Sequence, residues 1–251
     1  MSVDSDGGVV YRNAPIVEAI ISLNVVLADG GADKAMEAAE KTFGHRFSRS
    51  QALQRFNVQV KSEAAKETTG SFSHGPGGWK FTAENDARVL QILPEMFVYS
   101  HLQPYTNWST FSDEARGLWS AYLDAVQPHK VVRIGLRYIN RLRLPKEFEL
   151  NVYLNYFPTA PESFGALRGL VAQVQLPQPG VAQDAVALVT IASEPSPDPT
   201  SSAMALDIDI FSVLAMPASD PRVWQTLDDF RVRKNRLFEA AITDKLKEAI
   251  R

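Results

Sequence analysis

An alternating stretch near the middle of the chain, VVRIGLRYINRLRL at positions 131–144, predicts a long β-strand. Even-numbered positions from Val132 onward are apolar except for Asn140. The odd-numbered positions hold Arg133, Arg137, Arg141 and Arg143. Successive side chains of a strand point to opposite faces of its sheet. We therefore expect one face of this strand to pack in the core and the other face to carry charge.

The first half of the chain has the pattern of a strand, a helix and further strands. Alternation over 16–27 predicts a strand whose odd positions are apolar and whose even positions include Glu18, Ser22 and Asn24. Helical spacing follows over 33–43. Strands are predicted at 56–60, 70–83 and 87–99, with the HGPGGW stretch at 74–79 read as a hairpin turn. Apolar residues at helical spacing over 108–126 predict an amphipathic helix before the arginine-bearing strand.

The second half repeats this progression from strands to helix. Strands are predicted at 148–157, 167–176, 185–193 and 204–213, with proline-rich connections between them. Asp220 and Pro221 are typical of a helix start, and an apolar stripe continues to Leu246, with Thr243 and Asp244 as a second start. Runs of strands followed by helices are typical of α+β proteins.

We therefore predict an α+β fold for residues 1–251 as a single domain. It is expected to contain two β-rich halves, at approximately 13–145 and 146–251, with joined and largely antiparallel sheets, each half covered by amphipathic helices.

Composition narrows the classes of protein. The 251 residues are 45% hydrophobic and have a formal net charge of −3, so a nucleic-acid site would have to be a local patch. The absence of cysteine excludes disulfides and thiolate chemistry and favours the cytoplasm. The first twelve residues lack the features of a signal peptide, and no run of about 18 apolar residues occurs, so we expect no membrane partner.

Sequence motifs for catalysis are weak. Asp207 and Asp209 form a DxD pair that could hold a divalent cation beside a phosphate, but no third carboxylate strand is evident. The four histidines lack metal-binding spacing, and the serines lie in no nucleophile elbow. We therefore predict no catalytic residue, no metal ligand and no cofactor. The alternative role for the two aspartates is to pair with the arginines across neighbouring strands.

Polar residues are expected to gather on the sheet face that points away from the core. The candidate ligand or polar-network residues are Glu18, Asn24, Arg133, Arg137, Arg141, Asp207 and Asp209. We predict that Arg137 and Asp209 share this face on adjacent or next-adjacent strands.

Three functions follow from this face. The first is a non-enzymatic module that binds an unidentified protein or small ligand. The second is a nucleic-acid or nucleotide binder that uses the arginines, and the third is a metal-dependent phosphoryl-transfer enzyme at the DxD pair.

Three blocks carry a resemblance to a known family. They are NAPIVEA at 13–19, RIGLRYINR at 133–141 and FEAAIT at 238–243. On these blocks the chain resembles a sporadically distributed family of uncharacterised bacterial proteins, many of which have a second proline where this chain has Ala14. The resemblance implies a cytoplasmic bacterial protein and supplies no catalytic residue.

Overall fold

The computed structural model describes residues 2–3, 9–28, 31–61, 69–159, 161, 163, 165 and 169–251. The helices in this part of the chain are α1 (Ala32–Phe43), α2 (Trp108–Val126), α3 (Leu150–Tyr153), α4 (Arg222–Ala241) and α5 (Asp244–Ala249). The strands of the first half are β1 (Ser2–Val3), β2 (Val9–Val10), β3 (Ile16–Val26), β4 (Arg49–Lys61), β5 (Thr69–Thr82), β6 (Arg88–Leu93), β7 (Met96–Leu102) and β8 (Lys130–Pro145). The strands of the second half are β9 (Val171–Pro177), β10 (Val186–Glu194) and β11 (Ser201–Pro217).

Nine of these strands form one antiparallel sheet in the order β4-β5-β6-β7-β3-β8-β11-β10-β9. The long strand β8 pairs with β3 on one side and with β11 on the other. Its pairing with β11 joins strands from both predicted halves, and the α+β prediction is confirmed. Strands β1 and β2 form a separate two-stranded ribbon.

The core lies between one face of this sheet and the helices. Most of the predicted apolar positions of β3 and β8 are buried, as Ile21 and Leu136 illustrate at 0% exposure. They belong to one apolar cluster with Phe111 of α2, Phe230 of α4 and Leu246 of α5. The amphipathic helices therefore cover a single face, because each apolar stripe has only that face to pack against.

Three predicted strands are wrong in detail. The predicted strand 87–99 is the hairpin of β6 and β7, which turns at Pro94 and Glu95. The predicted strand 148–157 contains the short helix α3, followed by a single bridge between Leu154 and Ile242. The predicted strand 167–176 begins at Val171, while 167 and 168 lie outside the described residues.

Two local predictions also fail where strands are irregular. The stretch 74–79 lies inside β5 rather than in a turn, and Gly78, whose φ is 128°, borders a register shift in the pairing of β5 with β4. In β8 the pairing shifts between Arg133 and Val131, so Val131 is buried at 0% and Val132 is only half-buried. An extra residue in one strand reverses the alternation beyond it.

Among the described residues, no helix is both long enough and apolar enough to cross a membrane.

Candidate functional site

The sheet face opposite the helices carries the predicted polar residues, and we call it the uncovered face. In the part of the chain that the structure describes, no helix packs against it. Its central region is built by four neighbouring strands, β3, β8, β11 and β10. The side chains in this region are those of Glu18, Ile20, Ser22, Asn24, Arg133, Gly135, Arg137, Ile139, Arg141, Asp207, Asp209, Phe211, Val213, Leu188, Thr190 and Glu194.

Arg137 forms the best-defined ion pair of the uncovered face. Its Nε lies 2.9 Å from Oδ1 of Asp207, and its Nη2 lies 2.5 Å from Oδ2 of the same carboxylate. Asp209 is the residue directly opposite Arg137 in the β8–β11 pairing. Directly opposed residues project to the same side of a sheet, so the prediction that Arg137 and Asp209 share a face on adjacent strands is confirmed.

Arg133 lies across the backbone of β8 instead of extending into solvent. Its Nη1 is 3.1 Å from Oγ of Ser22, its Nη2 is 3.6 Å from Oδ2 of Asp209, and its Cζ is 4.3 Å from the ring centre of Phe211. Gly135 makes this path possible: a Cβ at this position would lie 2.6 Å from Oγ of Ser22 and 2.8 Å from Nη1 of Arg133. A glycine between the arginines therefore lets one guanidinium bridge β3 and β11.

Arg141 extends the network to β10. Its Nε donates to Oε2 of Glu194 at 2.6 Å. Glu194 was absent from the predicted site and lies one residue beyond the predicted strand 185–193, whereas the observed β10 includes it. The predicted arginines and aspartates, together with Glu194, thus form three arginine–carboxylate pairs spread over three neighbouring strands.

The aspartates of the DxD pair differ electrostatically. Burial raises the pKa of Asp209, against the lowering influence of Arg133 and Arg137. The hydrogen bond to Asp207 raises the pKa of Arg137, whereas burial lowers that of Arg133. Asp207 therefore supplies the stronger partner for Arg137, and Asp209 is a carboxylate whose ionised form the surroundings disfavour.

The two remaining predicted residues lie on β3. The charge of Glu18 contributes to raising the pKa of Arg137, so this carboxylate acts on the same network. Asn24 is directly opposite Arg133, but its Oδ1 is buried without a hydrogen-bond partner among the described residues. All seven predicted residues are thus on one face, and six of them interact through charge.

The surroundings of Asp207 and Asp209 do not favour the hypothesis that this pair binds a divalent metal. No group of three or more histidine, aspartate or glutamate side chains that could hold a metal occurs among the described residues. Asp207 and Asp209 each have an arginine as neighbour. A cation bound between them would have to compete with these fixed positive charges.

A cavity of about 720 Å³ lies beside the end of β8 and the β10–β11 connection. Its lining includes Lys146, Glu147, Asp198 and Glu194, the last of which also pairs with Arg141. Both signs of charge are present. Glu194 thus belongs both to this cavity and to the ion pairs of the uncovered face, and the charged residues of the lining are one lysine and three carboxylates.

A second polar cluster, on the helix-covered side, was missed by the sequence analysis. Oε2 of Glu114 accepts hydrogen bonds from Nε of Arg88 at 2.7 Å and from the hydroxyl of Tyr99 at 2.6 Å. Burial raises the pKa of Glu114, but these hydrogen bonds outweigh it and the net pKa is lowered. His101 is 1% exposed nearby, and its Nδ1 has no partner among the described residues. The members lie on three elements, so no single periodic pattern indicates them.

No protein-family model matches this chain, and a comparison with curated proteins finds no relative. The resemblance drawn from the three sequence blocks stays a prediction.

Proposed function

We propose that this chain is a non-enzymatic interaction module, and that its uncovered face binds a partner protein or another ligand. In line with the family resemblance, we place this function in the bacterial cytoplasm. The observation that carries the proposal is an accessible sheet face on which fixed ion pairs alternate with apolar side chains. Exposed ion pairs contribute little to the stability of a fold, so stability alone does not account for the arginines on this face.

Apolar exposure on this face supports protein binding. Val213 is 62% exposed and Val26 is 43% exposed, and both lie on the uncovered face. Half-buried Ile20, Ile139 and Phe211 lie between the ion pairs. Protein interfaces combine apolar and aromatic side chains with arginine in this way, and clustered apolar exposure often marks a contact surface.

The charge arrangement favours a protein partner over nucleic acid. The four arginines at 133, 137, 141 and 143 share the face with four carboxylates, those of Glu18, Glu194, Asp207 and Asp209. Phosphate-binding surfaces need an excess of positive charge and free guanidinium donors. Here three of the four guanidinium groups already meet carboxylates and the four positive charges are matched by four negative ones, so the face lacks the potential that would concentrate a polyanion.

Site-specific photo-crosslinking tests the proposal. A photoreactive amino acid at position 213 is expected to capture a partner in an extract of the cells that make the protein. The matched control places the same group at Val232, which is 36% exposed on α4, on the opposite side of the sheet. Capture at position 213 should be lost when Ile139→Lys is added in a variant that still folds, because a buried lysine opposes an apolar contact.

Equal capture from positions 213 and 232, or capture that Ile139→Lys leaves unchanged, contradicts the proposal.

Fluorescence anisotropy with DNA and RNA tests the second hypothesis, that the face binds nucleic acid. Sub-micromolar binding that weakens with salt and disappears in Arg137→Ala would replace the protein partner by nucleic acid. Calorimetric titration with Mg²⁺, Mn²⁺ and Zn²⁺ tests the third, because a saturable site lost in Asp207→Ala would indicate a metal enzyme.

A further inference from the structure

The strand β9 forms one edge of the sheet and has the features of a pairing surface. It pairs with β10 on one side, and no other described strand pairs with it. Its sequence, VAQVQLP, contains no charged residue. The opposite edge strand, β4, contains Arg49, Arg55 and Lys61. Charged residues on edge strands prevent association with other sheets, and β9 lacks this protection.

The hydrogen bonds that flank β9 indicate which of its backbone groups point outward. The amide of Ser193 donates to the carbonyl of Leu170, and the amide of Gln178 donates to the carbonyl of Ala185. Hydrogen-bonded and non-hydrogen-bonded pairs alternate along an antiparallel ladder. Residues 172, 174 and 176 therefore bond to β10, and the amides of Val171, Gln173 and Gln175 point away from the sheet.

We propose that a second copy of this chain pairs with β9 through these outward groups, antiparallel about a two-fold axis at Val174. The sequence of β9 is self-complementary in this register. Gln173 faces Gln175 of the second copy on the uncovered side, so amide faces amide. On the helix side Val174 faces itself and Ala172 faces Leu176 of the second copy, so apolar meets apolar.

The exposure of two apolar side chains of β9 supports a second copy of the chain as the partner of this edge. Val171 is 79% exposed and Leu176 is 37% exposed, and both would be covered in the pair. The outcome is one sheet with nine strands from each copy. This inference concerns the sheet edge and does not depend on the proposed function of the uncovered face.

Paired charge variants test the register directly. In sedimentation experiments, the mass of the native chain should rise with concentration towards twice the 27.8 kDa of one chain. The concentration series is centred on about 10 µM, because an interface this small is typical of weak association. The variant Gln173→Lys/Gln175→Lys and the variant Gln173→Glu/Gln175→Glu should each dimerise roughly tenfold or more weakly, because like charges face each other. An equal mixture of the two should recover the dimer, because each lysine then faces a glutamate.

Two controls separate pairing from folding. The variant Gln51→Lys/Gln225→Lys adds the same charge at exposed positions away from β9 and should dimerise like the native chain. Circular dichroism melting should give similar midpoints for all variants.

A native chain that stays monomeric overturns the proposal and leaves an extended segment of another protein as the occupant. A dimer that the charge variants do not weaken, or a mixture that fails to recover it, also overturns the proposal. Loss of crosslinking at position 213 would leave these results unaffected.

Discussion

Arg137 pairs with Asp207, although the residue directly opposite it on β11 is Asp209. The long guanidinium reaches a diagonal neighbour on the same sheet face, a distance that long side chains span readily. Asp209 consequently lies nearer to Arg133, at 3.6 Å, and has no bidentate partner among the described residues. The two carboxylates of the DxD pair therefore have different energetic roles.

Double-mutant cycles should separate these two pairs. We expect a favourable coupling of about 0.5–1 kcal/mol between Arg137 and Asp207, because their pairing is bidentate but Arg137 is 44% exposed. The coupling between Arg137 and Asp209 should be smaller. Urea unfolding of the Arg137→Ala, Asp207→Ala and Asp209→Ala variants, alone and combined, measures both. A larger coupling with Asp209 would contradict the diagonal pairing.

The charge of Asp209 should oppose folding at neutral pH. Its pKa is raised in the folded state by burial, so the folded protein binds this proton more tightly than the unfolded chain does. Asp209→Asn is therefore expected to raise the free energy of unfolding at pH 7. The gain should shrink as the pH falls through the raised pKa towards 3.8, the ordinary value for aspartate.

The neighbouring substitution is the matched control for this prediction. Asp207→Asn should lower the free energy of unfolding at pH 7 by about 0.5–1 kcal/mol, because it weakens an ion pair that is partly screened by solvent. Denaturant melts of both variants between pH 4 and pH 7 provide the comparison. Equal losses in the two variants would show that Asp209 is stabilised by its arginines after all.

Two buried tyrosines should respond oppositely to loss of their hydroxyl groups. The hydroxyl of Tyr122 is buried without a hydrogen-bond partner among the described residues. Tyr122→Phe should therefore stabilise the fold by about 1 kcal/mol, because it removes an unsatisfied polar group. Tyr99→Phe should destabilise it by about 1.5 kcal/mol, because it removes the hydrogen bond to Glu114. Urea unfolding curves measure both changes, and a destabilised Tyr122→Phe would contradict the first.

Protonation of His101 should weaken the fold in mild acid. Burial, and secondarily the charge of Arg88, lower the pKa of His101 in the folded state. The unfolded chain therefore takes up this proton first, and stability is lost as the pH falls from about 6.5 towards the lowered pKa. His101→Leu should flatten the pH dependence of the unfolding free energy in this range. His45→Leu, at an exposed position, is the matched control for replacing a histidine by leucine.

The alternating pattern predicted the central strands well, because each has one buried face. In β3, β8 and β11 the apolar positions are fixed by the core, so a period of two appears in the sequence. The same pattern could not predict which carboxylate each arginine contacts. Register shifts at both ends of the β3–β8 pairing and the reach of each guanidinium determine those contacts.

Two other features had no signal in the sequence. Residues 148–157 alternate like a strand, yet the chain here packs against α5, where the amide of Thr243 donates to the carbonyl of Tyr153. Tertiary packing thus overrides local preference. The contacts of Glu114 join residues 15 and 26 positions away, so only the folded structure brings them together.

The position of β8 between β3 and β11 has a consequence for how the chain folds. Ser22 and Arg133, which meet across β3 and β8, are 111 positions apart, and Arg137 and Asp207 are 70 positions apart. Contacts this distant require large loops to close before any energy is gained, and proteins with such high contact order fold slowly. During synthesis, the edge of β3 that pairs with β8 stays unpaired until α2 and then β8 have been made. The other edge of β8 stays unpaired until β11 has been made. A nascent chain arrested before β11 should thus present a long unpaired edge to chaperones.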